Sequence, residues 1–173
     1  MNTVLRLRGS ELTSQHWIMS LLKDFCKSDP LSAHCYALYY LTHEPNRTEI
    51  IVLASRNKIK SYALVWHGGN FTIQDLYEVH VWNPTMDIIQ EINLSPSKRV
   101  DIQLYGSSPS DVEVIIDHFK SLGFKRFDVE KFYDMICDRE SFKPSPLERL
   151  AVRLREEHAP LYKDLELERG IEI

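Results

Sequence analysis

No apolar run in this sequence approaches the roughly 20 residues that a membrane-spanning helix needs. Residues 1–20 also lack the charged, apolar and small-residue zones of a signal peptide, so a cytoplasmic chain is expected. No cysteine pair has the Cys-x-x-Cys spacing of a zinc or redox motif. The three cysteines, Cys26, Cys35 and Cys137, are odd in number and far apart, which predicts reduced thiols. Seven histidines, from His16 to His158, fall in no metal-ligand spacing, and no metal site is expected. Positive charge is not in excess either. With 21 Lys and Arg against 25 Asp and Glu, the balance argues against a dedicated nucleic-acid binder. No low-complexity tract and no short-period repeat occurs, which excludes a solenoid.

What is present is an ordinary globular composition, 43% hydrophobic and 27% charged, enough for a proper core in one domain with an appendage. The opening MNTVLRLRGSEL alternates apolar residues with arginines, as a short strand does. Trp17, Ile18, Leu21, Leu22 and Phe25 then form a helical stripe, with Thr13 or Ser14 as cap and a break at Asp29-Pro30. LSAHCYALYYL reads as a second helix, ended by Glu44-Pro45-Asn46. Three strand-like runs follow, EIIVLAS, IKSYALVW and FTIQDLYEVHVW. Their short links, Arg56-Asn57-Lys58 and His67-Gly68-Gly69-Asn70, predict an antiparallel meander closed by Asn83-Pro84. Thr85 to Asn93 is expected to be a short helix with Met86, Ile89 and Ile92 on one face. VDIQLY is expected to be a further strand.

The most informative stretch runs from Ser110 to Asp138. Val112, Ile115, Ile116, Phe119 and Leu122 recur at steps of three and four. Ser108 suits the N-cap, Pro109 the first helical position, Asp111 the first turn and Gly123 the C′ position. A strand from Phe132 to Cys137 is expected next. Pro144 and Pro146 then punctuate a loop, and Leu147, Leu150, Ala151 and Leu154 return to helical spacing. The expected division is a main domain at residues 1–143 and a helical tail at 144–173.

Two of these stretches carry a resemblance. IKSYALVWHGGNFTIQDLYEVHVW looks like the hairpin leading into the central strand of the GNAT superfamily of acyl-CoA N-acyltransferases. VEVIIDHFKSLGFKRFDVEKFYDMICD looks like that family's late helix, with its Leu-Gly-Phe signature and the strand after it. The order helix, helix, three-stranded meander, helix, strand, helix, strand is similar over roughly residues 10–140. The resemblance implies an α/β, GNAT-like fold, with a mixed, largely antiparallel sheet flanked by helices. It implies transfer of an acyl group from acetyl-CoA or another acyl-CoA to an amine, with Glu78 on the central strand as candidate base. Val81, Trp82, Asn83, Thr85 and Met86 are then the candidate coenzyme A contacts. The tail LAVRLREEHAPLYKDLELERG looks like the opening of a second unit in tandem family members; the other reading is a helix packed on its own domain.

The chain departs from the family pattern at two places. The family's Arg/Gln-x-x-Gly-x-Gly/Ala loop lets backbone N–H groups approach the pyrophosphate. Its equivalent here, Asn83-Pro84-Thr85-Met86-Asp87-Ile88, has no glycine or arginine, no N–H at Pro84, and a carboxylate at Asp87. Phe119 stands where many members carry a tyrosine general acid, which leaves Tyr105 and Tyr133 as possible substitutes, with Tyr133 the candidate acid. These departures set a second expectation beside the acyltransferase: a non-catalytic binding or assembly module, a homo-oligomer or bound to a protein partner through the tail. Other groupings have a structural and a functional reading. Glu78 and His80 share a strand face, as an acid–base or metal pair or, more commonly, as a salt-bridged surface pair. Ser107, Ser108 and Ser110 either cap a helix or hold an anion. Tyr36, Tyr39 and Tyr40, with Trp17, Trp66 and Trp82, line a pocket or belong to the core or a partner-facing patch.

Overall fold

Five strands form one sheet in chain order: β1 (Thr3–Arg8), β2 (Thr48–Ser55), β3 (Lys58–Gly68), β4 (Leu76–Trp82) and β5 (Arg99–Tyr105). The first four pair antiparallel, and β5 lies parallel to β4. The structure, a computed structural model, describes residues 2–29, 32–56, 58–68 and 75–131, the side chains of Thr13 and Ser14 aside. The chain divides into two compact units, Met1–Val129 and Glu130–Ile173, and nearly all described residues belong to the first. The strand expected at Phe132–Cys137, Tyr133, Cys137, the boundary at 143 and the tail lie outside the described residues, as do the first residues of the third run.

The middle of the sheet is covered on both faces, which is why β2 and β3 read as nearly continuous apolar runs. One face holds Ile50, Val52, Tyr62 and Leu64 against α1 (His16–Ser28) and α2 (His34–His43). The other holds Ile51, Leu53, Ala63, Val65, Val79 and Val81 against α3 (Met86–Ile89) and α4 (Pro109–Ser121). The expected α/β architecture is present, and its elements run in the expected order: two helices, a meander, a helix, a parallel strand and a helix.

α4 has the ends its sequence calls for. The Ser108 backbone N–H donates to Asp111 Oδ2 at 2.6 Å and its hydroxyl to the same oxygen at 2.7 Å, so the serines close a helix start and the acid occupies it. Gly123 takes the left-handed conformation, φ 97°, and the Phe124 N–H reaches back to Phe119 O at 3.1 Å. The rings of Phe119 and Phe124 meet 5.2 Å apart, the hydrophobic contact that accompanies such a stop.

Three local expectations need correction. α1 begins one or two residues later than expected: a 3-10 turn, Gly9–Ser14, takes up the residues expected to cap it, and Gln15 is the N-cap. The helix after Thr85 is a single turn, so Ile88 and Ile89 face the core with Ile92 while Met86 is half exposed. The third correction concerns the cysteines. Cys26 near the end of α1 and Cys35 at the start of α2 are joined in a disulfide, their Cα atoms 5.4 Å apart. Reduced thiols were expected because the three cysteines are odd in number and far apart in sequence, but the packing of α1 and α2 brings Cys26 and Cys35 together.

Two stability tests follow from these contacts. Closing a loop of this size stabilises by about 2–3 kcal/mol in the chain-entropy picture, so reduction or Cys26→Ser should lower unfolding free energy by that order in denaturant titrations. An unchanged midpoint would mean that the thiols are not bridged. Phe119 is 1% exposed within the α3/α4 layer. Phe119→Tyr buries a hydroxyl there and should destabilise by about 1–3 kcal/mol, measured the same way.

Candidate functional site

β4 places alternate side chains on opposite faces, and Val79 and Val81 take the α3/α4 side. Glu78, His80 and Trp82 therefore face α1 and α2. Trp82 joins an aromatic group with Phe25, His34 and Tyr62, with ring centroids 5.1–5.8 Å apart in its three contacts. Glu78 and His80 are the two polar residues on this face of the strand, and they are not the surface pair that was the commoner expectation. The His80 side chain is fully buried and that of Glu78 is 19% exposed.

Buried polar groups need partners, and here they find one another. His80 Nε2–H donates to Glu78 Oε1 at 2.8 Å, and the Tyr40 hydroxyl donates to Glu78 Oε2 at 3.0 Å. The Tyr105 hydroxyl lies 3.4 Å from His80 Nδ1 and donates to Gln103 Oε1 at 2.8 Å. Tyr36 stacks on the His80 ring, centroids 4.8 Å apart, and Tyr40 stacks on Trp66 at 5.2 Å. Trp66 in turn donates through Nε1 to Glu44 Oε2 at 2.8 Å.

The electrostatics follow from these bonds. Glu78 is held below the ordinary carboxylate value, first by the hydrogen bond from His80, with the interaction with that ring and the Tyr40 hydroxyl adding to it against the pull of burial. Burial and then the adjacent Glu78 push the Tyr40 phenol upward, so it remains a protonated donor. Tyr62 is pushed up chiefly by burial, and its hydroxyl lies 2.9 Å from Nδ1 of buried His34. Burial lowers His34.

Of the expected site residues, the structure brings Tyr105, the other possible substitute for the acid, to His80, which in turn bonds Glu78. Phe119 belongs to the layer on the opposite face of the sheet from Glu78. The expected coenzyme A contacts are scattered. Val81 is core, Trp82 packs toward α1 and α2, and Met86 is exposed. Asn83 closes β4 at φ 49°, its N–H bonded to Tyr105 O at 3.0 Å and its side-chain amide to Lys60 O at 2.7 Å. The N–H groups of Ile88 and Ile89 turn back to Thr85 O, and the Thr85 hydroxyl is buried with no hydrogen-bond partner among the described residues. β4 is paired along its whole length with β3 on one side and, at the same residues, with β5 on the other. These residues do not fit the pyrophosphate of coenzyme A: the one-turn helix offers no glycine cradle, and exposed Asp87 repels it.

Sequence reasoning placed Tyr36, Tyr39 and Tyr40 as a group that could line a pocket, and they do. With Cys35 they line an open groove of about 360 Å³ on the exposed side of α2. The tryptophans are not part of that lining. What the sequence did not signal is the bond from Tyr40 to a carboxylate 38 residues away. Among the described residues, no cluster of His, Cys, Asp and Glu is arranged to hold a metal ion, and no helix is long and apolar enough to cross a membrane.

No protein-family model matches the sequence, and no curated protein matches it. Solved structures do. The ribosomal-protein-alanine N-acetyltransferase of Brucella melitensis biovar Abortus 2308 is 10% identical, with a TM-score of 0.41 over 79% of this chain and 100% of its own. An aminoglycoside acetyltransferase from an uncultured soil metagenomic sample, solved with trehalose, is 13% identical, with a TM-score of 0.37 over 79% and 97%. A predicted acetyltransferase of Clostridium acetobutylicum, solved with acetyl-CoA, is 11% identical, with a TM-score of 0.37 over 79% and 96%.

The buried groups predict a stepped pH dependence. His34 is lowered from 6.5, so the unfolded state takes up a proton first and stability should fall as pH drops below about 6.5. Glu78 is lowered from 4.5, so its contribution is full above that value and lost as pH falls further. In thermal melts between neutral pH and pH 3, His34→Gln should flatten the first step. Glu78→Gln should shrink the second, leaving the share of Asp75 and Asp111, which are also lowered.

Proposed function

We propose that this chain is a GNAT-type N-acyltransferase unit whose working half is the amine side, with Glu78 as the group that receives the amine. The observation that carries this reading is the Glu78 carboxylate, ionised by its two donors and still partly open on the α2 side of the central strand. A carboxylate of lowered pKa attracts an ammonium group well and takes its proton weakly. Holding the amine is therefore the stronger part of its role, and accepting its proton the weaker. Tyr133, outside the described residues, stays the proposed acid, with Tyr105 next to the Glu78–His80 pair. Acyl-CoA is the proposed donor, held by contacts other than a cradle at Val81–Met86. The reading places the chain in the cytoplasm, which the Cys26–Cys35 bridge permits where intracellular disulfides persist, as in hyperthermophiles.

A second reading has its own support. The complete β3–β4–β5 ladder and the Asn83–Asp87 turn favour a non-catalytic module that keeps the fold and binds without transferring, alone, as a homo-oligomer or through a partner on the tail. Ligand-dependent melting separates the two. A ligand at a hundredfold excess over its dissociation constant stabilises the native state by about 2.7 kcal/mol. If the transferase reading holds, acetyl-CoA raises the melting temperature, and Glu78→Gln keeps that shift while losing acyl transfer to a panel of amines. No shift at millimolar acetyl-CoA overturns the transferase and leaves the module.

A further inference from the structure

Among the described residues, three tyrosines and the bridged Cys35 line the groove on α2. Tyr36, Tyr39 and Tyr40 stand at positions i, i+3 and i+4 and so share a helix face. Their rings are held from behind or from the side. Tyr36 lies flat on buried His80 with an interplanar angle of 11°, and Tyr40 lies on Trp66 at 27°. Tyr39 meets Tyr40 edge-on, at 78° and 5.5 Å, which sets two walls of the groove at nearly a right angle. Tyr36 and Tyr39 are 48% and 55% exposed, so the aromatic surface is presented to solvent and not consumed in the core. Rings fixed before binding lose little freedom when a ligand arrives.

Negative charge stands behind these walls. Tyr40 gives its hydroxyl to Glu78, and a phenol that donates to a carboxylate carries a more electron-rich ring. Glu44 accepts from Trp66 behind Tyr40, while also meeting Arg47 at 3.9 Å. Among the described residues that line the groove there is no lysine or arginine. A free amino acid would find no cation for its carboxylate among them. An aminosugar would find three phenols, one already committed, for its ring of hydroxyls. A hydrocarbon stem ending in an ammonium group suits both features, since its methylenes lie on tyrosine faces and its charge is drawn to rings backed by carboxylate.

We infer that the Tyr36–Tyr39–Tyr40 groove binds an aliphatic ammonium group on a hydrocarbon stem, the chemistry shared by a lysine side chain and a free polyamine. The inference rests on the amine-side reading of Glu78 and names the class of amine. It is tested on the full chain by calorimetry without any acyl donor, using n-butylammonium, putrescine and Nα-acetyl-lysine methylamide. 1-Butanol and glucosamine serve as neutral-chain and sugar-amine controls. The three aliphatic ammonium probes are expected to saturate, with both controls about tenfold weaker or more. Tyr39→Ala changes an exposed residue and should leave the melting temperature nearly unchanged, Tyr36→Ala uncovers His80 and should lower it, and each should weaken n-butylammonium by about fivefold. Tyr39→Phe keeps the ring and should keep the binding. Tighter binding of the lysine derivative than of putrescine indicates a peptide source, and the reverse a free polyamine; either supports the inference. Equal binding of 1-butanol, preference for glucosamine, or tyrosine variants with unchanged affinity would overturn it. Alkylammonium binding without acyl transfer would leave it standing and remove only the transferase reading.

Discussion

The hydrogen bond from His80 to Glu78 is the constraint around which the α1/α2 side of the sheet is arranged. A strand in the middle of a sheet is covered on both faces, and two polar side chains on its α1/α2 face would be costly unless each found a partner. They find each other two residues apart, and the surroundings complete the set. Tyr40 reaches in from α2, Tyr105 from the parallel strand, and Tyr36 covers the imidazole. Removing the carboxylate would leave a buried imidazole N–H and the Tyr40 hydroxyl to find other acceptors. The helix α2 is thereby fixed to the sheet by directed bonds as well as by apolar packing, and its outer tyrosines are held as a surface.

The same face shows why the two ends of the α1–α2 pair matter. Near their junction the Cys26–Cys35 bridge ties one helix to the next, and beside it His34 and Tyr62 satisfy each other under the ring of Trp82. On the opposite face the buried polar side chain is Ser61, which donates to Trp82 O at 3.3 Å, and Phe119 and Ile115 press α4 onto it. The two layers thus differ in what they bury: the α1/α2 face holds His34 and His80, and the other face a serine.

Much of the fold was legible because its signals are local. The stripe, cap, proline and glycine of α4 lie within sixteen consecutive residues, and each occupies the place its chemistry suggests. The meander was legible for the same reason, from β-branched runs and short links. The misplaced details come from structure that local patterns do not encode. Thr13 and Ser14 look like caps until a 3-10 turn uses them, and Met86 looks like part of a stripe until the helix stops after one turn. The site was half legible. Glu78 and His80 could be placed on one strand face, but whether that face is wet or buried depends on α2, which arrives from 38 residues away through Tyr40. The disulfide was illegible because it depends on how two helices pack.

The central claim is that Glu78 is an ionised carboxylate gripped by His80 from one side and Tyr40 from the other. Long-range proton–nitrogen NMR of the histidine rings tests it most directly at neutral pH. The account predicts that the His80 ring carries its proton on Nε2, protected from exchange, and that Glu78→Gln changes this signal more than those of the other histidines. A His80 ring protonated only on Nδ1, or an Nε2 proton exchanging as freely as one on the surface, would contradict it.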